Sequence, residues 1–276
     1  MGKESESFPS RNRQACAVAR RPTHGGLPQA ASLAPQIAEF IVDSIAMGHL
    51  EFGERLIETD LARQLHVSRV PIREAFNLLE AQGILVATPH CGAHVAEFDD
   101  LKIDRIREAR IALERLALPE ALAELRVHPG KQRALESQVA RMEDALARRN
   151  WIEAGRADLE FHRLICRASN NEIAISLWEA LAHHISIVFG RELRAEGGNV
   201  RLGEQHNRLL WLIRNGGLKA LDQELLRHVM RLRNLDLESQ AEPRPKLIKG
   251  CEAALGPADN WDSTLRMAVK KVSSAS

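Results

Sequence analysis

Cysteine is scarce and scattered. The four in the chain, Cys16, Cys91, Cys166 and Cys251, form no Cys-x-x-Cys pair, which removes a zinc ribbon and gives no support to a disulfide framework. A reducing cytoplasm suits such usage. Long apolar runs are missing too: no stretch approaches the ~20 uninterrupted apolar residues that span a bilayer, so no membrane segment is expected. Residues 1–32 are broken by Arg, Gln, Pro and Gly and hold no apolar core of the signal-peptide kind, which argues against secretion. Charge of one sign is not in excess, with 38 Lys and Arg against 37 Asp and Glu. Any affinity for nucleic acid must therefore be built locally.

What is present has the balance of a soluble globular protein, 276 residues with 45% apolar and 27% charged side chains, enough for one large or two ordinary domains. Residues 1–32 read as a mobile leader. From residue 33 to 98 the pattern is ordered. Ile37, Phe40, Ile41 and Ile45 recur at helical spacing and Gly48 ends that helix. Thr59 is expected to cap a second helix with Asp60 in its first turn and Leu61, Ala62 and Leu65 on one face. Ser68 is expected to cap a third, carrying Val70, Ile72, Ala75, Phe76 and Leu79 and closing at Gly83. Two short strands follow, Ile84–Ala87 and Ala93–Phe98, turned at Gly92. Three helices and a small β-hairpin describe a winged helix-turn-helix.

Beyond the polar joint at Asp99 and Asp100, residues 101–238 read as helix, so the chain as a whole is mainly α. Breaks are expected at His128-Pro129-Gly130, Ser169-Asn170-Asn171, Glu196-Gly197-Gly198-Asn199 and Asn215-Gly216-Gly217. The helices between them, roughly 12 to 25 residues each, suit a bundle, and Pro119 should kink the first. Residues 239–276, with Pro243, Pro245 and a Ser-rich end, are expected to be a poorly ordered tail.

The close spacing of the second and third helices lets one prop the other into a major groove. Ser68 leaves neighbouring N–H groups facing outward toward a phosphate. Arg69 and Arg73, one turn apart on the same side, can reach base edges or backbone, and Arg is the side chain best shaped for guanine. Gly92 at the wing permits close approach to the adjacent minor groove, with His90 or His94 as further contacts. Residues 33–98 nevertheless carry four Arg and no Lys against nine Asp or Glu, a net of −5. Glu39, Asp43, Glu51 and Glu54 must then lie away from the DNA, and useful affinity calls for a homodimer on a double-stranded operator with two half-sites.

Residues 33–98 resemble the winged helix of the GntR family of bacterial regulators through Phe52-Gly53-Glu54-Arg55-Leu56 and Val67-Ser68-Arg69-Val70-Pro71-Ile72-Arg73-Glu74-Ala75. The helical remainder resembles the FCD domain of the FadR-type branch. The resemblance spans roughly residues 33–238 and implies a dimeric, usually repressing, metabolite-responsive DNA-binding factor. The family usually has Thr where Val70 stands, and some FadR-type members carry Arg where Thr59 stands.

Within the helical part, Asp158 and His162 share a face with Ala154, Phe161 and Ile165. His206 stands with Leu209, Leu210 and Ile213. His228 stands in the stripe Leu221, Leu225, Val229, Leu232. One carboxylate and three imidazoles thus turn inward, where they must be paired among themselves or ligate a cation. As a set they suit Zn, Ni, Mn or Fe as a divalent ion, with open positions for an exogenous ligand. Pattern alone leaves satisfied core histidines and metal ligands both open; the FCD resemblance implies the ligand role. His183 and His184 read as packing.

An anionic effector would need a cation beside the metal. Arg110 interrupts the inward stripe Ile103, Ile106, Leu113, Ala117, and Arg191 follows His184 and Val188. Each is a candidate contact for a small carboxylate metabolite, the alternative being an internal salt bridge, for instance with Glu114 or Asp158. A metal-dependent hydrolase is a second reading of the same quartet. Against it, no further acidic residue is placed as a general base and no nucleophile arrangement or Gly-rich phosphate loop occurs. A third reading is a regulator whose helical domain only dimerises.

Overall fold

A computed structural model describes residues 33–88, 92–195 and 201–239. The first helix, α1 (Ala34–Ala46), begins with Pro35 in its first turn, where the missing N–H costs nothing. It buries Ile37, Ala38, Ile41 and Ile45. α2 (Glu58–Gln64) and α3 (Arg69–Ala81) follow, joined by a turn in which His66 adopts φ 53°. Ile72, Ala75, Phe76 and Leu79 of α3 lie against α1 in a shared core. The wing is a three-stranded antiparallel sheet rather than a two-stranded hairpin. β1 (Arg55–Leu56) flanks β3 (Gly92–Val95), which pairs on its other side with β2 (Leu85–Thr88). In register, Leu56 faces Ala93 and Ala87 faces Ala93 from the other edge.

Among the described residues, six helices make the second module: α4 (Asp100–Val127), α5 (Pro129–Ala147), α6 (Trp151–Ala168), α7 (Glu172–Ala195), α8 (Leu202–Asn215) and α9 (Leu218–Ser239). Asp99 caps α4 by accepting from the Lys102 N–H at 2.7 Å, and Asn150 caps α6 through the Glu153 N–H at 3.0 Å. α4 runs unbroken through Pro119 for 28 residues. The turns at 128–130, 169–171 and 215–217 fall where expected, whereas 196–199 lies outside the described residues, as do 1–32 and 240–276. An additional break at Arg148–Asn150 has no glycine; Arg149 itself takes φ 56°. α7 is long and apolar enough to cross a membrane by length and composition. Here it is a central packing helix, with Trp178, Ala182, Ile185, Ile187 and Val188 in one apolar cluster with the winged helix.

Candidate metal centre and DNA-reading surface

The DNA-directed residues sit at the exposed end of the winged helix. Ser68 occupies the N-cap position of α3 with extended backbone, and its side chain makes no capping bond. Arg69, Val70 and Arg73 are exposed along α3, Val70 by 54% although it is apolar. Arg69 has only a loose partner, Glu58 at 3.7 Å. Thr59 is not a cap: α2 starts one residue earlier after extended Ile57, so the Thr59 backbone is already helical, and its side chain is exposed. Gly92 is needed for a reason internal to the sheet. At φ 86°, a Cβ there would lie 2.5 Å from the Leu56 carbonyl oxygen of β1. His90 lies outside the described residues, and His94 is half-buried on β3.

Two of the acidic residues of this module are engaged by the bundle. Asp43 pairs with Arg156 of α6, and Glu51 with Arg191 of α7 at 3.0 Å. Both carboxylates are thereby partly neutralised on the side facing the bundle.

Asp158 and His162 of α6, His206 of α8 and His228 of α9 converge, with ligating atoms all within 4.8 Å of one another. The side chains of all four are at most 5% exposed. Their hydrogen bonds fix which nitrogens carry protons. His206 Nδ1 lies 2.8 Å from the Leu202 carbonyl, which only accepts, so Nδ1 donates and Nε2 keeps a lone pair. That lone pair meets Asp158 Oδ1 at 3.0 Å, and neither atom has a hydrogen-bond partner. His162 Nδ1 donates to Glu114 Oε2 at 2.7 Å, so its Nε2 also presents a lone pair, 3.0 Å from His228 Nε2. Either tautomer of His228 leaves a buried nitrogen unmatched, since its Nδ1 has no partner. Lone pairs and carboxylate oxygens crowded together without protons are repulsive and orphaned. A cation between them resolves both problems, and the donor set suits a divalent transition metal.

Glu114 of α4 organises this centre. Wholly buried, it also accepts from Arg110 Nε at 2.8 Å and from the Trp178 indole at 3.3 Å. Burial opposes its charge, but His162 and Arg110 outweigh burial and hold its carboxyl down at about 2. Burial likewise drives the His162 imidazole down, partly offset by Glu114. His228 is pushed well below the usual range by burial and by His206 and His162. Both shifts favour the neutral imidazole of His162 and His228, the form that ligates a metal. Arg110 stays charged against burial because Glu114 and Asp158 face it, the latter at 3.7 Å.

Beside the quartet lies a cavity of about 30 Å³. Arg107, Arg110, Glu192, Gln205 and His228 supply its polar lining, and Ile106, Ile185, Val188 and Val229 are among its apolar residues. Arg107 pairs with Glu192 across the cavity and with Asp104 at 3.1 Å. Arg107 thus pairs with Asp104 and Glu192, and Arg110 with Glu114 and Asp158.

Residues 33–95 match the bacterial regulatory proteins, gntR family, and residues 105–231 match the FCD domain. The uncharacterized HTH-type transcriptional regulator YdhC of Bacillus subtilis is 31% identical over 186 residues, covering 66% of this chain and 80% of that protein. The chain belongs to the GntR family. A probable D-xylose utilization operon transcriptional repressor of Paenarthrobacter nicotinovorans is 28% identical over 202 residues, 72% of this chain and 84% of that one. The solved structure of E. coli McbR/YncC aligns with a TM-score of 0.62 at 22% identity, over 76% of this chain and 99% of that one, and shares the fold. The protein is a GntR-type transcriptional regulator and not an enzyme.

Within this GntR regulator, Arg191 is not among the residues lining the cavity beside the quartet. It turns the other way, stacking over the Phe52 ring at 4.0 Å from the centroid while pairing with Glu51. An arginine on an apolar helix face can meet a neighbouring module as well as a cavity, and the stripe alone does not distinguish the two. Phe52 stacks in turn on Phe98 at 5.1 Å, and Lys102 lies over Phe98 at 3.9 Å. His183 and His184 line the same joint: His183 contacts the Gln82 side chain at 2.7 Å, and His184 lies 6.0 Å from the Phe98 ring. Arg107, Glu192 and Gln205 stand out in no sequence pattern, because single polar residues on long helices carry no spacing that marks them as cavity lining.

Proposed function

We propose that this regulator is a homodimeric, metabolite-responsive repressor that acts in the cytoplasm on a DNA operator of two half-sites. In this reading residues 33–98 read the DNA, and residues 101–238 dimerise, hold one divalent metal ion and sense a small carboxylate. The carrying observation is the buried convergence of Asp158, His162, His206 and His228, with Asp158, His206 and His228 each keeping a polar atom without a hydrogen-bond partner. A bound metal would supply a Lewis-acid centre with positions left for an oxygen ligand. Glu114 and the Leu202 carbonyl orient the imidazoles of His162 and His206 toward it, and Arg110 offers its Nη2, which makes no hydrogen bond, to an incoming carboxylate. The repressor sense follows the names of relatives, the D-xylose repressor above and a gluconate operon transcriptional repressor of Bacillus subtilis.

Coupling to DNA would run through α7. Ile185, Val188 and Glu192 face the cavity, whereas Gly190 and Arg191 meet α1 and Phe52. A ligand that shifts α7 therefore biases the seating of the winged helix. Metal content before and after chelation, followed by thermal shift with a panel of organic acids, tests the reading. Stoichiometric metal and an acid-dependent rise in Tm are expected. Metal without any acid response would leave a bundle that only dimerises.

A further inference from the structure

Arg107 is buried to the same degree as Arg110, each 6% exposed, and the two stand one turn apart on α4 lining the same cavity. Each keeps a buried donor with no hydrogen-bond partner, Nε in Arg107 and Nη2 in Arg110, the latter 3.7 Å from Asp158. Two unmet guanidinium donors on one wall call for two acceptors. The carboxylate now paired with Arg107, Glu192, is 18% exposed and lies at the edge of the cavity toward solvent. The present cavity, about 30 Å³, has room for roughly two or three waters. An occupant of any length must therefore take the space that Glu192 fills.

We propose that Arg107 is a second anion subsite, held in the ligand-free chain by Glu192, and that the effector is a short aliphatic dicarboxylate. This rests on the carboxylate-sensing reading above. One carboxylate goes to the metal quartet and Arg110, and the other replaces Glu192 on Arg107. Residues three apart on a helix have Cβ atoms about 5–6 Å apart, which suits an acid of about four or five carbons. Its methylenes would lie against Ile185, Val188 and Val229. Because Glu192 leaves as the second carboxylate enters, the buried charge ends no more negative than with a monocarboxylate. Glu192 neighbours Arg191, so its release acts on the residue that clasps Phe52.

Isothermal titration of the full chain with succinate and glutarate, against butyrate and valerate, tests this. The dicarboxylates should bind roughly tenfold tighter or better, the worth of one charge-assisted pair. Arg107→Gln should bring them down to the monocarboxylate level without weakening butyrate, and Glu192→Gln should tighten succinate several-fold. Equal affinity of both classes for the native chain overturns the subsite while leaving carboxylate sensing intact, as does a folded Arg107→Gln that keeps the preference. Should Arg107→Gln not fold, unchanged or weaker succinate binding by Glu192→Gln overturns it. Binding of no acid at all overturns the subsite and the sensing reading together.

Discussion

Glu114 touches Arg110, His162 and Trp178 at once, and its charge both orients one imidazole and holds Arg110 in place. Glu114→Gln keeps the shape and removes the charge. Metal affinity, read by competition with a chromophoric chelator, should fall roughly 10–100-fold; an unchanged affinity would remove Glu114 from the centre. In the winged helix, Arg69→Ala and Arg73→Ala should each weaken operator binding by about 1–3 kcal/mol if they read bases. Both are exposed, so stability should move by less than about 0.5 kcal/mol. Asp158, His162, His206 and His228 were legible in the sequence because each interrupts an apolar helical stripe. Glu114 was legible only as a partner for Arg110, and the contact of Arg191 with Phe52 was not legible, because a place on a stripe does not say against what it packs. Thr59 was misread as a cap because Ile57, carrying no capping group, takes that place.

α7 is the element on which the account turns. Gly190 permits its contact with α1: an added Cβ would stand 2.6 Å from Ala46 Cβ, with no flexible side chain to yield. Gly190→Ala should therefore lower stability by about 1–3 kcal/mol, seen as a lower Tm. Gly217→Ala, with nothing within 4 Å, is the control and should leave Tm nearly unchanged. The same joint carries a pH dependence. Burial, Lys102 and His183 depress the His184 imidazole to about 4, with a backbone contact from Gln82 acting the other way. Unfolded, it takes up its proton near 6.5, so between these values the unfolded chain binds more protons. Its contribution is present above about pH 6.5 and is lost as pH falls toward 4. Chemical denaturation across that window should show a shallower loss in His184→Gln, and an identical slope would contradict the assignment. Helices with strong stripes and glycine or proline stops were legible in the sequence. The two-residue β1 was not, having too few residues for alternation, nor was the stop at Arg149, which adopts a left-handed backbone without glycine.

Taken whole, the regulator joins an exposed arginine-bearing helix and a buried histidine–carboxylate centre through a fold in which one apolar core takes in both α1 and α7. Winged helix and helical bundle were both legible from periodicity and turn chemistry. The joint between them, with Arg191, Phe52, Phe98 and Lys102 stacked in sequence, was not, because its members come from α7, the wing and α4 and share no local pattern. With a net of −5 on residues 33–98, specific binding should need two modules acting together. The most direct test is selection of bound sequences from random duplex DNA by the full chain at low ionic strength, repeated with the Arg69→Ala, Arg73→Ala double variant. The account predicts a palindrome with half-sites about one helical turn or less apart, lost in the double variant. No enriched sequence, or the same palindrome recovered without the two arginines, would contradict it.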